Sequence, residues 1–246
     1  MAPTTRLFGL LAVALLGASS SAAQGGEGLA PSPPDTTAHL YGTSAALALL
    51  LTEDGLAAGG AGRTALTPDL SFVCETALGA GRDEREQRFF VGFFGETVTP
   101  LKRNYAVLVP LHVGLERRLF RRQVEDNFRP FVALTAGPTI ALQWPYFDDR
   151  DRDGVRDSAE QRLGPLRGFV QAQPRLGIGG TLSVGAAVGR AGQAIQSLRF
   201  GFTGHVFPAR IDLLELAPDV ESPSRRTFWT PTVSFHVVRL LHSPRR

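Results

Sequence analysis

The chain has 246 residues, a formal net charge of +3 and one cysteine, Cys74. Because the charge is nearly balanced over this length, the composition argues against a nucleic-acid-binding protein. A single cysteine cannot build an internal disulfide framework. After residue 23, no apolar run reaches the roughly 18 residues that a transmembrane helix needs. The sequence therefore offers no transmembrane helix in the mature chain.

The N-terminal residues have the pattern of a cleaved signal peptide. Arg6 carries a positive charge, residues 7–17 are apolar, and small residues up to Ala23 form a cleavage site before Gln24. A helix buried in the fold is the alternative. Residues 24–38 are rich in Gly, Pro, Ser and Thr and lack an apolar period, which predicts a disordered leader.

Residues 105–115 alternate between two faces, as β-strands do. One face carries only large apolar side chains: Tyr105, Val107, Val109, Leu111, Val113 and Leu115. The other face is mixed: Ala106, Leu108, Pro110, His112 and Gly114. A strand needs about 9–11 residues to cross a membrane, and this segment has that length. The pattern therefore indicates a transmembrane β-strand.

Related patterns recur along the chain and predict an all-β fold, a single up-and-down antiparallel transmembrane β-barrel of about eight strands. In the fourth, sixth, seventh and eighth predicted strands, one face carries Gln, Arg, Thr, Ser, His and Gly, whereas the other is nearly all apolar. This is the arrangement of a barrel surrounded by lipid, the reverse of a soluble barrel. A soluble β-sandwich or lipocalin-like barrel is the alternative. The predicted strands are 40–52, 64–78, 88–97, 105–115, 129–144, 166–186, 194–208 and 227–241.

An even number of strands places both chain ends on one side of a barrel, which is expected to be the periplasmic side. The connections that follow odd-numbered strands then lie on the outer side. The two longest predicted connections, 145–165 and 209–226, both fall there, and long outer loops are typical of such barrels.

The most specific motif of the chain lies in the predicted outer loop 145–165. It reads Asp-Arg-Asp-Arg-Asp-Gly-Val-Arg-Asp-Ser-Ala-Glu and matches the D-x-D-x-D-G-x5-E pattern of an EF-hand-like calcium loop. The motif predicts a weakly bound, structural Ca²⁺ with oxygen ligands from Asp149, Asp151, Asp153, the Val155 carbonyl, Asp157 and Glu160. The alternative is an acidic surface loop that Arg150, Arg152 and Arg156 neutralise. Arg156 also stands where EF-hands carry a hydrophobic residue.

Histidines and aromatic residues have weaker assignments. Three histidines lie on different predicted strands, without a nucleophile motif nearby: His112, His205 and His236. They are predicted to fill the lumen and to have no catalytic role. An aromatic belt at the membrane interface is predicted just after the fifth strand, from Trp144, Tyr146 and Phe147.

Strand pattern, signal peptide and loop positions together resemble the small outer-membrane β-barrel proteins of Gram-negative bacteria, over about residues 39–241. The last predicted strand departs from that class because it does not end on an aromatic residue. The resemblance implies export to the cell outer membrane. The expected layout is a signal peptide (1–23), a leader (24–38), the barrel (39–241) and a tail (242–246).

The class includes structural anchors, adhesins, narrow pores and a few lipid-modifying enzymes, so fold alone does not select an activity. The expectation for this chain is a non-enzymatic protein with a structural or surface-interaction role. Its expected partners are outer-membrane lipid and calcium, with no nucleic acid, and no motif names a protein partner. A narrow pore for small solutes and a lipid-modifying enzyme are the alternatives.

Overall fold

The computed structural model describes residues 43–83, 85–86, 89–90, 97–125, 127–150, 160–189, 195–215 and 224–242. The predicted signal peptide (1–23) and leader (24–38) lie outside these residues, as do positions 151–159 of the predicted calcium loop. Among the described residues, no helix has both the length and the apolar character needed to cross a membrane.

Strands make up most of the described chain. In chain order the elements are β1 (Thr43–Thr52), β2 (Gly55–Ala65), β3 (Leu70–Gly81), β4 (Phe89–Phe90), β5 (Thr97–Val98), β6 (Asn104–Arg118), β7 (Phe128–Pro145), α1 (Pro165–Gly168), a 3-10 turn (Phe169–Gln171), β8 (Gln173–Val188), β9 (Ile195–Asp212) and β10 (Ser224–His242).

Eight of these strands close into one ring, in the order β1-β10-β9-β8-β7-β6-β3-β2. Each pairs antiparallel with its neighbours along the chain, and β1 closes the ring against β10, with Leu49 opposite Phe235. A closed ring leaves no strand edge, so the backbone groups of the wall are paired with each other. The predicted all-β, up-and-down barrel of eight strands is confirmed.

Two errors in the predicted strands cancel in the count of eight. The sequence analysis missed β2, which is mostly glycine and alanine and pairs with both β1 and β3. It also placed a wall strand at 88–97, whereas β3 pairs directly with β6. β4 and β5 pair with each other in a separate two-stranded sheet. The predicted sixth strand (166–186) began too early, because α1 and the 3-10 turn precede β8.

The wall is apolar on its outside and polar on much of its inside. On β6, Leu111 and Val113 are exposed at 45% and 48%, while His112 between them is 1% exposed. The same alternation runs along β10, where Val233 and Phe235 are exposed and Ser234 is buried. Further exposed apolar side chains of the wall are Leu47, Leu49, Leu51, Phe72, Leu78, Leu176, Ile178, Val184, Leu198, Phe200, Phe202, Trp229 and Val237.

The two ends of the barrel differ. At one end, named here the terminal end, lie the start of β1, the finish of β10 and the connections 66–69, 119–127 and 189–194. At the opposite end, named the loop end, lie the tight β1–β2 turn and the longer connections 82–103, 146–172 and 213–223.

An inward-facing apolar cluster lies near each end of the barrel. The terminal-end cluster consists of Ala46, Ala61, Phe131, Ala133, Ala187, Ile195 and Val238. The loop-end cluster consists of Ala106, Leu108, Ala141, Phe207, Ile211, Leu213, Leu214 and Phe228. Leu213 and Leu214 come from the β9–β10 connection, so this loop contributes directly to the apolar packing at the loop end.

Candidate functional site: the barrel interior and its loop end

An ion network crosses the barrel interior. Arg199 on β9 lies between two carboxylates, with Nη1 3.5 Å from Glu75 Oε2 and Nη2 2.8 Å from Glu116 Oε2. Arg63 on β2 approaches the same Glu116 oxygen at 3.5 Å. Two positive and two negative side chains from four strands therefore neutralise one another inside the wall, which buried charges require.

Neighbouring side chains hold this network in place. The Arg199 guanidinium lies 5.0 Å from the centre of the Phe131 ring, and the Arg63 guanidinium lies 5.8 Å from it. Thr135 donates its hydroxyl hydrogen to Glu75. Arg199 alternates on β9 with the exposed Leu198 and Phe200, and Glu75 follows the exposed Cys74 on β3, so strand alternation turns both charged side chains inward. The sequence analysis missed Arg63 because it missed β2, and no local motif links residues so far apart in the chain.

The three histidines lie inside the barrel, as predicted, and are almost fully buried. His205 Nδ1 is 3.0 Å from the Thr139 hydroxyl, and His112 Nε2 is 3.4 Å from the same oxygen. His236 Nε2 is 3.0 Å from the hydroxyl of Ser234, two residues away on β10. The histidines thus form two small hydrogen-bonded groups on the inner wall rather than one cluster.

Two small internal cavities flank the ion network. One, of about 100 Å³, is lined by Glu75, Arg199 and the three histidines. The other, of about 80 Å³, opens toward the terminal end and is lined by Arg63, Glu116 and Phe131 among others. Spaces of this size hold a few water molecules each.

Loops cover part of the loop end through a set of charged contacts. Asp83, just after β3, accepts hydrogen bonds from the Arg85 guanidinium at 2.8 and 2.9 Å. Arg225 of β10 lies 3.9 Å from the same carboxylate. Lys102 is paired with Glu86 at 2.7 Å and forms a backbone bridge to Leu214. These contacts tie the connections 82–103 and 213–223 together over the loop end.

The carboxylate of Asp83 is the titratable centre of these contacts. Burial alone would raise the pKa of Asp83. Hydrogen bonds from the Arg85 side chain and backbone, with the charges of Arg85 and Arg225, outweigh that effect and hold its pKa below the usual range. Asp83 therefore stays ionised under ordinary conditions.

The ends of the predicted calcium loop pair with each other. Phe147 forms an antiparallel bridge with Arg162, and the Leu163 amide donates to the Tyr146 carbonyl at 2.9 Å. Glu160 is buried, and its Oε1 accepts a hydrogen bond from the Arg150 amide at 2.8 Å. The first and last predicted ligands, Asp149 and Glu160, thus lie on the two arms of one narrow neck.

The remaining predicted ligands, Asp151, Asp153, Val155 and Asp157, lie outside the described residues. Within the described part of the chain, no three His, Cys, Asp or Glu side chains are grouped closely enough to hold a metal ion. The calcium site stays a prediction.

The predicted aromatic belt after β7 is wrong for all three of its residues. Trp144, Tyr146 and Phe147 are exposed at only 6%, 2% and 2%. The segment 160–171 folds back over them, with the Phe169 ring 5.1 Å from Trp144 and the Tyr105 hydroxyl donating to the Leu163 carbonyl. These aromatic side chains anchor the long loop to the rim instead of facing lipid.

Solved structures similar to this chain include two bacterial proteins. The N-terminal β-barrel domain of Pseudomonas aeruginosa OprF is 9% identical, with a TM-score of 0.35, covering 80% of this chain and 96% of that one. Neisserial surface protein A (NspA) is 11% identical, with a TM-score of 0.36, covering 80% of this chain and 92% of that one. No protein-family model matches the sequence, and no curated protein matches it. The function of this chain is therefore inferred from its own wall, interior and loops.

Proposed function

We propose that the chain is a β-barrel protein of the cell outer membrane, without enzymatic activity, whose role is structural or surface interaction. The polarity of the wall carries this proposal. Large apolar side chains point outward around the ring, while Arg199, His112 and Ser234 are buried inside. Soluble monomers rarely expose an apolar surface this extensive, whereas a lipid bilayer requires it.

The distribution of loops supports an orientation. Connections 82–103, 146–172 and 213–223 all leave the loop end, while those of the terminal end are shorter. Transmembrane barrels carry long extracellular loops and short periplasmic turns. In the proposed orientation the loop end faces outward from the cell and offers the surface that partners meet.

A pair of neighbouring residues on β10 tests the membrane assignment. Val233 faces outward and Ser234 faces inward, beside His236. Val233→Asp would put a carboxylate into lipid at a cost of about 2–3 kcal/mol, so we expect poor assembly. Ser234→Asp would place the same group in the polar interior, where the His236 ring can donate to it, and we expect normal assembly.

The measurement is the fraction of each variant that sediments with outer membranes and migrates as a compact, heat-modifiable band on unheated gels. Equal assembly of the two variants would contradict the proposal, because a wall that faces lipid should reject the carboxylate of Val233→Asp and accept that of Ser234→Asp.

The histidine geometry supports a non-enzymatic role. Ser234 and His236 form the one Ser–His contact among the described hydrogen bonds, and a catalytic pair needs a third group to orient the imidazole. His236 Nδ1 has no hydrogen-bond partner among the residues that the structure describes. The pair also faces a cavity of about 100 Å³, too small for a lipid chain.

The finer part of the proposal is that calcium clamps residues 149–160. The motif supplies the ligand types in the right order. The neck brings Asp149 and Glu160, the first and last acids of the motif, onto adjacent arms. A loop closed in this way can direct all its ligands toward one ion. Three interspersed arginines would keep the affinity low.

Limited trypsin digestion of the folded protein in detergent tests this clamp. Calcium at ten times its Kd should slow cleavage after Arg152 and Arg156 about tenfold, because binding stabilises the closed loop by about 1.4 kcal/mol. Magnesium should protect less, since it demands tighter octahedral geometry. Asp153→Ala deletes a ligand oxygen and should remove the calcium effect, while leaving the Glu160–Arg150 contact of the neck intact. Cleavage that ignores calcium would contradict the clamp.

A further inference from the structure

A short helical segment lies against the outside of the barrel wall at the loop end. It consists of α1 and the 3-10 turn, residues 165–171, and is named here the rim segment. Two of its side chains, Leu166 and Val170, are 89% and 90% exposed, and the Phe169 ring is 47% exposed. Apolar side chains exposed singly are common on protein surfaces. Three of them exposed together on one short segment indicate an interaction surface.

Continuous strand register places the rim segment outside the ring. Trp144 shares the outward face of β7 with the exposed Leu134, whereas Ala141 on the other face is fully buried. Trp144 pairs with Tyr105 on the outward face of β6, and the Phe169 ring packs edge-on against it, with 5.1 Å between the ring centroids. The rim segment therefore covers part of the outer surface of the wall.

Gly168 determines which side of the segment meets the wall. It is buried, and a Cβ at this position would lie 2.8 Å from both the Pro145 carbonyl oxygen and Trp144 Cδ1. A helix has about 3.6 residues per turn, so Leu166 and Val170, four positions apart, point to the same side and away from Gly168. The segment thus turns its apolar side toward the surroundings of the barrel.

The height of the rim segment along the barrel identifies those surroundings. The outward face of β6 is apolar from Tyr105 to Leu115, and the next outward residue toward the terminal end is Arg117. From Tyr105 to Leu115 a tilted strand rises about 25 Å, the height of the apolar band of a transmembrane barrel. In a bilayer, Tyr105 and Trp144 would therefore lie where lipid headgroups meet acyl chains. On β8 the exposed Leu176 continues the apolar surface from there into the band.

We propose that the rim segment anchors the long β7–β8 connection in the lipid leaflet at the loop end. Leu166, Phe169 and Val170 enter the boundary between headgroups and acyl chains, as the apolar face of an interfacial helix does. Arg167 is exposed, and its long side chain can reach headgroup phosphates. This inference rests on the proposed membrane location and adds a lipid contact outside the barrel wall.

The single cysteine of the chain provides the reference for a labelling experiment in dimyristoylphosphatidylcholine nanodiscs. Cys74 is exposed on β3, opposite Val113 of β6, so a nitroxide attached to it reports on the lipid beside the wall. In a Cys74→Ser background, Leu166→Cys carries the label on the rim segment, and Glu53→Cys carries it on the exposed β1–β2 turn. At each position, collisions with oxygen, which concentrates in lipid, are compared with collisions with a water-soluble nickel chelate.

We expect oxygen to be favoured at positions 74 and 166, and the nickel chelate at position 53. A label in lipid at position 74 and in water at position 166 would overturn the anchor and leave the membrane assignment standing. A label at position 166 that is shielded from both reagents would also overturn the anchor, because protein would then cover Leu166. A label in water at position 74 would overturn the membrane assignment and the anchor together.

Trypsin cleavage after Arg167 in the same nanodiscs gives a second readout, with each rate divided by that of the unfolded variant. Val170 is almost fully exposed, so Val170→Ser removes almost no contact within the protein. We expect this change to speed cleavage about tenfold, because taking a valine side chain out of an apolar environment shifts an equilibrium by at least that much. Gln161→Ser, at another exposed position of the connection, is the control and should leave the rate unchanged. Equal cleavage of Val170→Ser and wild type would overturn the proposal.

Discussion

Charged residues inside this barrel are neutralised by partners on other strands. Arg199 meets Glu75 from β3 and Glu116 from β6, and Arg63 from β2 completes the neutral set. A buried ion pair contributes little net stability by itself, but removing one partner leaves an uncompensated charge. The network is therefore a constraint on strand order, since the charges balance only when these four strands surround one interior.

At the loop end, the stability of the folded protein should depend on the ionisation of Asp83. Its pKa is lowered by the Arg85 hydrogen bonds and by Arg225, relative to an ordinary value of 3.8. Because the folded-state pKa is lowered, ionised Asp83 contributes its full share of the free energy of unfolding above about pH 4. That contribution is lost as the pH falls through the folded-state pKa. We expect wild type to be more stable than Asp83→Asn at pH 5–7 and to lose that advantage in stronger acid.

Thermal unfolding of both proteins between pH 2.5 and pH 7 measures this difference. Because the other carboxylates titrate in both proteins, the difference between the two melting temperatures reports the ionisation of residue 83. A gap in melting temperature that stays constant down to the lowest pH would contradict the assignment.

Among the elements, β2 shows how a strand can form with few large side chains. Its residues are mostly glycine and alanine, so the hydrogen bonds that it makes to β1 and β3 hold it in the ring. At Gly59, an added Cβ would collide with the backbone carbonyl of Thr76 and lie 3.0 Å from the Ala77 Cα. The close approach of β2 and β3 thus requires a glycine there.

This packing predicts opposite outcomes for two glycines of the same strand. Gly59→Ala should destabilise the barrel by about 1–3 kcal/mol, as overpacking usually does. Gly62→Ala adds a methyl group where nothing lies within 4 Å, and we expect little change. Urea unfolding in lipid vesicles, followed by the compact band on unheated gels, measures both midpoints. Equal midpoints would show that β2 and β3 do not approach this closely.

For the whole molecule, the packed interior favours the proposed structural role over a narrow pore. Apolar clusters lie near both ends, and Arg63, Glu116 and Arg199 separate the two small internal cavities. Eight-stranded barrels are just wide enough for side chains to fill them. We expect purified protein in planar lipid bilayers to give no discrete conductance steps. Regular steps that scale with the amount of inserted protein would favour the narrow pore instead.

Much of the barrel could be predicted from the sequence because side-chain alternation is a local property. Large apolar residues at every second position of β6, β9 and β10 determine which face of the wall is exposed and which side chains, such as His112 and Arg199, point inward. The two longest predicted connections, 145–165 and 209–226, leave the loop end as expected. The third long connection of that end, 82–103, was not predicted, because 88–97 was taken for a wall strand.

Only the tertiary structure decided the features that depend on contacts between distant segments. Period-two alternation needs large side chains on one face, so a glycine–alanine strand such as β2 gives no signal until its neighbours pair with it. The burial of Trp144 depends on a loop that folds back from residues 160–171, and aromatic residues near a strand end look the same whether lipid or protein covers them.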